Sequence, residues 1–247
     1  MRTEEFISSI SGVFSDEEGL KRLRASVPLG RDEGGNLVFS QKGERQRMIR
    51  HTCVTGSRNT EFIKRLIITL SCLYSSTEAN FLILSPKLEY GELLRLESLD
   101  ATVPFVRIKS DLENGVQCIR ELVGLHTRER GCPRLFLVLD GLETLPDCNK
   151  NGDLEEYRNI FDIVARQPSV EIITGVDLMK SIFSGYPGAF VGIGNCLVTT
   201  REEGKADVTY VGEDSSLSLP TVMQYPSEPE VTQAISLLNA MGGGARE

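Results

Sequence analysis

Short apolar runs alternate along this chain with segments of helical periodicity, and this alternation constrains the fold more than any other feature. The apolar runs are NFLILS (80–85), RLFLVLD (134–140) and VEIITGV (170–176). Continuous runs of this length are typical of strands that are buried on both faces of a sheet. Strands that alternate with helices of about a dozen residues predict an α/β fold, with a mainly parallel sheet and helices on both faces.

The clearest helical pattern follows a strand-like segment, RMIRHTCVTG. From Asn59 to Tyr74 the apolar residues recur at helical spacing and form a wide stripe, which predicts burial against the sheet. The stripe consists of Phe62, Ile63, Leu66, Ile67, Leu70 and Leu73. Further helices are predicted over 4–25, from the capping box at 110–113 to 123, over 154–165 and over 229–241.

Shorter extended segments are predicted elsewhere in the chain. VPLGRDEGGNLVFS (27–40) predicts two short extended segments around a Gly-Gly turn, and VPFVRI (103–108) is a further strand candidate. After residue 178, Gly-rich turns separate short strands, NCLVTT and DVTYVG. Because no linker or repeat divides the chain, we predict a helical lead over 1–26 and one domain over 27–247, with a small β-rich C-terminal extension.

Composition narrows the classes of function. The 247 residues include six cysteines without a Cys-x-x-Cys pair and two histidines, His51 and His126, which disfavours a zinc site or a disulfide framework. The N-terminal residues lack the apolar core of a signal peptide, and no apolar run reaches the roughly 18 residues of a membrane span. We therefore expect a cytoplasmic protein, or a cytoplasmic part of a membrane-associated complex, without direct membrane insertion.

The net charge of −8 bears on nucleic-acid binding. Non-specific DNA binding draws its affinity from basic residues that neutralise phosphates. The net charge therefore disfavours DNA binding by an isolated monomer. It does not exclude DNA binding by a ring that presents a few basic loops.

The stretch HTCVTGSRNTEF lies between a predicted strand and a predicted helix, where a phosphate-binding loop would lie. Such a loop needs glycines that let backbone N–H groups wrap phosphate, a lysine for the β and γ oxygens, and a Ser or Thr for magnesium. With Gly-Ser at 56–57 kept in register, Cys53 and Arg58 replace glycines, Asn59 replaces the lysine and Thr60 keeps the hydroxyl. This local pattern fits a diverged phosphate-binding loop as well as an ordinary loop.

A second candidate position is Asp140, which ends the run FLVLD. Four hydrophobic residues followed by Asp are the pattern of the magnesium-coordinating Walker B strand. In many such ATPases a glutamate follows, but here Gly141 follows and the nearest acid is Glu143. The segment Ser85-Pro86-Lys87 is a third candidate, because ligands bind at the carboxyl ends of strands in open α/β sheets.

From about Val27 to Leu238 the chain resembles the motor domain of the FtsK/SpoIIIE translocase family. TGSRNT stands where that family has TGSGKS, and LFLVLDGLETL is similar to its x-V-V-x-V-D-E-x-x-x-L segment. VPLGRDEGGNLV resembles its PLGxDxxGxPV, and NFLILSPKLEYGEL resembles its F-I-x-I-D-P-K-x-x-E-L, with Ser85 for the aspartate. LPTVMQYPSEPEVTQAI is similar to its terminal strand, acidic turn and final helix. The resemblance implies a RecA-like P-loop NTPase fold, with a degenerate Walker A motif at 53–60 and a Walker B-like motif at 135–140.

The resemblance leaves two registers for the segment RQPSVEIITG. It is similar to the family's QRPSVDVITG, which follows the sensor strand, but counting from Asp140 aligns Val170–Thr174 with the sensor strand itself. We favour the second register because it keeps a helix between the strands. The family's sensor glutamine then has no counterpart near 175–177.

The departures from the family lie at its chemical positions, so the resemblance implies a catalytically silent domain that requires no cofactor. If ATP and magnesium bind, the implied nucleotide-binding residues are Gly56, Ser57, Arg58, Asn59, Thr60 and Asp140, with Thr60 and Asp140 as the magnesium ligands. No catalytic residue is assigned, and Asp140 is the candidate if the domain is active. Lys64 could replace the missing lysine or lie on the solvated side of the helix, and Arg58 could contact phosphate, a neighbouring subunit or solvent.

Silent domains of this kind occur in the multi-ATPase EssC-type proteins of type VII secretion. The resemblance thus implies a structural, regulatory or substrate-recognition module of a translocation machine. Its partners would be other FtsK-like ATPase domains, or copies of itself in a ring, and a protein substrate rather than DNA. Two alternatives are a divergent ATP-hydrolysing DNA translocase and an interaction module unrelated to motors.

Overall fold

The computed structural model describes the chain in separate stretches. They are residues 26–41, 50–74, 78–87, 89–90, 93, 105–107, 134–141, 167, 169–177, 196–202, 204–210 and 218–225. The predicted helical lead and the helices predicted over 110–123, 154–165 and 229–241 lie outside these residues. Within the described residues no helix has the length and hydropathy needed to cross a membrane.

The described residues form ten strands and one helix. In chain order these are β1 (Pro28–Asp32), β2 (Leu37–Phe39), β3 (His51–Thr55), α1 (Asn59–Leu73), β4 (Ala79–Ser85), β5 (Phe105–Arg107), β6 (Arg134–Asp140), β7 (Val170–Val176), β8 (Cys196–Thr200), β9 (Lys205–Tyr210) and β10 (Thr221–Gln224). The strands predicted from the apolar runs and the helix predicted after the loop are therefore confirmed.

The strands form a single mixed sheet in the order β2-β1-β10-β9-β8-β3-β7-β6-β4-β5. The six strands from β8 to β5 in this order are parallel to one another. The other four join this half through antiparallel pairs. The prediction of a parallel sheet thus holds for the half that contains β3, the strand before the P-loop-like segment. The other half is antiparallel.

The antiparallel half corrects the prediction of a C-terminal extension. It contains β9 and β10 from the C-terminal part of the chain together with β1 and β2 from the N-terminal part. The joining pair is β1 with β10, in which Arg31 lies opposite Gln224. Local patterns predicted β1, β2 and β9, and the resemblance implied β10, but a pairing between segments so far apart in the chain has no local signal.

Helix α1 packs against β3, β7 and β8 through its apolar stripe. Phe62, Ile63, Leu66, Ile67 and Leu70 are buried, which confirms this part of the predicted stripe. Burying each such side chain contributes about 1.5–3 kcal/mol to folding, so the stripe fixes the helix and the loop before it. Among the described residues α1 is the only helix. Of the helices that were predicted to cover both faces of the sheet, the described residues therefore include only this one.

Strand β7 lies between β3 and β6, and all seven of its residues are buried. The segment Val170–Val176 is thus itself a strand beside the P-loop-like strand, as the favoured register predicts. Because β3, β7, β6 and β4 are parallel, their carboxyl ends meet at one edge of the sheet. The three candidate positions of the sequence are therefore brought together at this edge.

His51 at the start of β3 makes folding sensitive to acid. Its side chain is buried, its Nε2 lies 2.8 Å from Thr174 Oγ1, and burial lowers its pKa from 6.5 to about 4. The unfolded chain binds this proton at higher pH than the folded chain, so stability falls as the pH drops from 6.5 toward 4. We expect this one group to remove roughly 3 kcal/mol across that window.

The measurement is the urea-unfolding free energy of the wild type and of His51→Gln between pH 7 and pH 4. Gln keeps a polar group for Thr174 and has no proton to gain, so its stability should fall less steeply. Equal slopes for the two proteins would contradict the assignment of the acid sensitivity to His51.

Candidate functional site

The P-loop-like segment leaves β3 at Gly56, which has a φ of 103°. A side chain at this position would overlap the carbonyl oxygen and Oγ1 of Thr200 on the neighbouring strand β8. The Thr200 hydroxyl donates to Thr55 O (2.9 Å) and accepts from the N–H of Arg58 (3.3 Å). The turn is thereby anchored to β8, and the Arg58 N–H contacts a threonine of the protein.

Asn59, at the position of the P-loop lysine, lies at the start of α1 and is only 7 % exposed. Its Oδ1 accepts a hydrogen bond from the N–H of Thr60 at 2.7 Å. Its own N–H contacts Gly56 O at 3.4 Å. The first N–H groups of a helix have no partner within the helix and can bind anions. Here the N–H groups of residues 58, 59 and 60 all have acceptors within the chain.

Glu61 adds a negative charge to the first turn of α1. Arg58 Nη1 lies 2.9 Å from Glu61 Oε2, and Arg65 forms an ion pair with the other carboxylate oxygen. The structure thus shows Arg58 in an ion pair along its own helix, which was not among the roles predicted for it. A carboxylate near a helix N-terminus is favourable for the helix, but it repels a phosphate group at the same place.

Asp140 at the end of β6 is completely buried and lies at the centre of a polar cluster. Lys87 Nζ lies 2.9 Å from its Oδ1 and 3.0 Å from its Oδ2. The hydroxyl of Thr60 donates to Oδ2 at 2.8 Å and accepts from Lys87 Nζ at 2.6 Å. The residues predicted as magnesium ligands, Thr60 and Asp140, are therefore in direct contact, and an ammonium group touches both.

Tyr90 is a further member of this polar cluster. Its hydroxyl is buried and donates to Asp140 Oδ2 at 2.8 Å. Burial, together with the nearby Asp140 carboxylate, raises the pKa of Tyr90 well above its usual value, so the phenol stays a neutral donor. Ser85 donates to the carbonyl oxygen of Asp140 at 2.8 Å and accepts from the N–H of Lys87 at 3.1 Å. The ends of β4 and β6 are thus tied together through side chains.

A cleft of ≈ 440 Å³ opens above this cluster. Its described lining consists of Gly56, Ser57, Arg58, Asn59, Thr60, Glu61, Lys64, Lys87, Glu89 and Asp177. The volume lies within the range of small-molecule sites. The three basic side chains of the lining are matched by three acidic ones, so the lining offers no excess positive charge for a triphosphate. Lys64, the candidate replacement for the missing lysine, lies in this wall.

The arrangement does not fit the magnesium ion that a P-loop fold implies. Magnesium binds through oxygen ligands, typically one or two carboxylates with water and phosphate oxygens. Here the hydroxyl of Thr60 and both carboxylate oxygens of Asp140 already contact the Lys87 ammonium.

Among the residues of the turn and the polar cluster, Glu61, Tyr90 and Thr200 were not predicted as site residues. Lys87 was a candidate because it follows a strand and matches the lysine of the resembled D-P-K segment, but its contact with Asp140 was not predicted. Tyr90 belongs to the segment NFLILSPKLEYGEL that carries the resemblance, and that segment was the only signal for it. A tyrosine five residues after a strand has no periodicity that would indicate a buried contact with Asp140.

The parallel half of the sheet and the P-loop-like loop between β3 and α1 define an α/β fold. No protein-family model matches the sequence, and no curated protein matches it either. Solved structures do match. The cytoplasmic domain of the type VII secretion ATPase EccC from Thermomonospora curvata aligns with 88% of this chain and 31% of its own length, at a TM-score of 0.58 and 14% identity.

Two further structures extend this comparison. The pCW3 conjugation coupling protein TcpA, a monomer form with ATPγS, aligns with 90% of this chain and 73% of its own length, at a TM-score of 0.56 and 12% identity. Thermomonospora curvata EccC (ATPases 2 and 3), in complex with a signal sequence peptide, aligns with 83% of this chain and 41% of its own length, at a TM-score of 0.54 and 10% identity. This chain thus spans less than half of each EccC structure. The predicted resemblance to FtsK/SpoIIIE-type ATPase domains is confirmed as a likeness of fold.

Gly175 on β7 sets the position of the Asp140 side chain. A Cβ at this position would overlap Asp140 Oδ1 and lie 2.7 Å from Ile63 Cδ1. We therefore expect Gly175→Ala to displace the carboxylate and to lower the free energy of unfolding by about 1–3 kcal/mol. The measurement is urea unfolding at neutral pH.

Gly34→Ala is the matched control. A Cβ there would meet only the side-chain ends of Asn36 and Asp32 in an exposed turn, at 3.1 Å and beyond. We expect this substitution to change stability by no more than about 0.5 kcal/mol. Equal losses in the two variants would mean that the space beside Asp140 is not limiting.

Proposed function

We propose that this chain is a catalytically silent, FtsK/SpoIIIE-like ATPase domain that serves as a structural, regulatory or substrate-recognition module of a translocation machine. The observation that carries the proposal is the side chain of Asn59. It stands where a P-loop lysine would reach a phosphate, and its Oδ1 accepts the hydrogen bond of the Thr60 N–H at 2.7 Å.

The physical case rests on charge. A lysine in this loop stabilises the negative charge that develops on the transferred phosphoryl group. Asn59 supplies no charge, and Glu61 and Asp177 offset the basic side chains of the cleft. Gly141 stands where many related ATPases have a glutamate that orients water. Each change disfavours turnover, and together they support a domain that does not depend on it.

The partners follow from the solved structures of similar fold. EccC and EssC are multi-domain secretion ATPases, and one EccC structure holds a signal sequence peptide. By analogy, we propose that this chain contacts neighbouring ATPase domains, or copies of itself in a ring, and engages a protein substrate rather than DNA. Such a module would act at the cytoplasmic side of a membrane-associated complex.

The proposal includes the finer features of a RecA-like domain. A helical lead over 1–26 would precede a single domain over 27–247, with the degenerate Walker A motif at 53–60 and the Walker B-like motif at 135–140. Helices would cover both faces of the sheet. The complete burial of β3 and β7 supports this cover, because neither face of these strands is open to solvent.

Catalytic silence is tested by nucleotide binding and hydrolysis. We expect the purified chain to show no ATP hydrolysis above the buffer rate, and no saturable binding of a fluorescent ATP analogue up to about 1 mM, with or without magnesium. The physical reason is the loss of the lysine charge and the balanced charge of the cleft. Asp140→Ala should leave this background unchanged.

Asp177→Ala is the control for the loss of an acidic side chain from the same cleft. Hydrolysis that disappears in Asp140→Ala and persists in Asp177→Ala would refute the silent domain. It would instead establish the alternative of a divergent ATP-hydrolysing enzyme.

The preference for protein over DNA has a separate test. Because the chain carries a net charge of −8, we expect fluorescence anisotropy to detect no binding of a labelled duplex at about 50 mM salt, at protein concentrations up to about 0.1 mM. Binding that weakens steeply with salt, and weakens further in Arg58→Glu, would favour the DNA translocase alternative.

A further inference from the structure

The cation position between α1 and β6 is filled by a side chain of the protein. Lys87 Nζ contacts Thr60 Oγ1 at 2.6 Å and the two oxygens of Asp140 at 2.9 and 3.0 Å. These are the oxygen atoms that the fold offers to a divalent cation. We infer that Lys87 is a built-in replacement for the metal ion, and that it determines the preference of this site against divalent cations.

Electrostatics indicates that the Lys87 ammonium excludes a divalent cation from the Asp140 carboxylate and does not share the carboxylate with it. Asp140 supplies one negative charge, and the ammonium of Lys87 neutralises it at contact distance. A divalent cation bound to the same oxygens would lie within about 3–4 Å of the ammonium, where like charges repel strongly in a partly buried site. The Lys87 side chain is only 25% exposed and Asp140 is 0% exposed, so solvent screens this repulsion weakly. The metal would have to displace the lysine.

Two hydrogen bonds fix the backbone position from which the Lys87 side chain starts. The Lys87 N–H donates to Ser85 Oγ, which in turn donates to Asp140 O. The lysine therefore starts from a position that is fixed relative to β6. The resembled family has this lysine too, but there it follows an aspartate. Ser85 stands in the place of that aspartate, and its hydroxyl adds no second negative charge to compete for the ammonium.

Gly141 links the lysine to the missing glutamate. Gly141 has a φ of 75°, and a Cβ at this position would lie 2.7 Å from Cε of Lys87 and 3.5 Å from its Cδ and Cγ. The aliphatic part of Lys87 thus passes over the space that a side chain at 141 would take. Position 141 is also where many ATPases of this class carry their glutamate. The loss of that glutamate and the placement of Lys87 are therefore one structural arrangement.

The test uses Mn²⁺ as the probe, with free Mn²⁺ measured by electron paramagnetic resonance and no nucleotide present. We expect the wild type to show no saturable site at millimolar Mn²⁺. Lys87→Met keeps the length of the side chain but removes its charge. It should bind Mn²⁺ at one site, about tenfold or more tightly than the wild type. Lys87→Met combined with Asp140→Asn should lose that site.

Two further variants sharpen the assignment. Gly141→Ala should push the lysine aside and raise Mn²⁺ affinity over the wild type, by less than Lys87→Met does. Lys64→Met removes a positive charge from the wall of the same cleft and should have a much smaller effect. Equal effects of Lys64→Met and Lys87→Met would overturn the inference, because general charge would then explain both.

A folding failure of Lys87→Met does not leave the question open, because the wild type supplies a second measurement. Paramagnetic Mn²⁺ should broaden the backbone amide signals of Thr60, Lys87 and Gly141 no more than those of exposed residues. Selective broadening of these three signals would overturn the inference. So would a folded Lys87→Met that binds Mn²⁺ no better than the wild type. Neither measurement involves ATP, so the inference and the proposed function can fail independently.

Discussion

A carboxylate without solvent exposure is the constraint on which this site depends. Asp140 is fully buried, and burying a charge costs several kcal/mol unless partners compensate for it. Its three partners come from two places: Thr60 from the start of α1, and Lys87 and Tyr90 from the segment after β4. Satisfying one charge thus fixes the relative positions of the helix that follows the loop and the ends of two strands.

In the silent domain that we propose, the same arrangement would explain how the fold persists without bound nucleotide. In an active site of this class, the helix N-terminus, the lysine and the metal are complementary to phosphate. In this chain Asn59 and Thr200 accept N–H groups of the turn, and Lys87 occupies the place of the cation. Polar groups that would contact a ligand in such an active site are here hydrogen-bonded within the chain.

Features governed by local periodicity could be predicted from the sequence. The apolar runs predicted β4, β6 and β7, and the stripe from Phe62 to Leu70 predicted the buried side of α1. The resemblance indicated that the loop at 53–60, the segment Ser85-Pro86-Lys87 and Asp140 belong to one site. The pairing of β1 with β10 and the contact of Tyr90 with Asp140 could not be predicted. Both depend on packing between segments that are far apart in the chain.

The pairing of β1 with β10 also bears on how the chain folds during synthesis. The N-terminal strands leave the ribosome first and β1 can pair with β2, yet β1 gains its second neighbour only when residues near Gln224 have emerged. Contacts between distant segments slow folding, because a long loop must close before they form. Until then the exposed edge of β1 can pair with other chains, so this protein should depend on chaperones for longer than its size suggests.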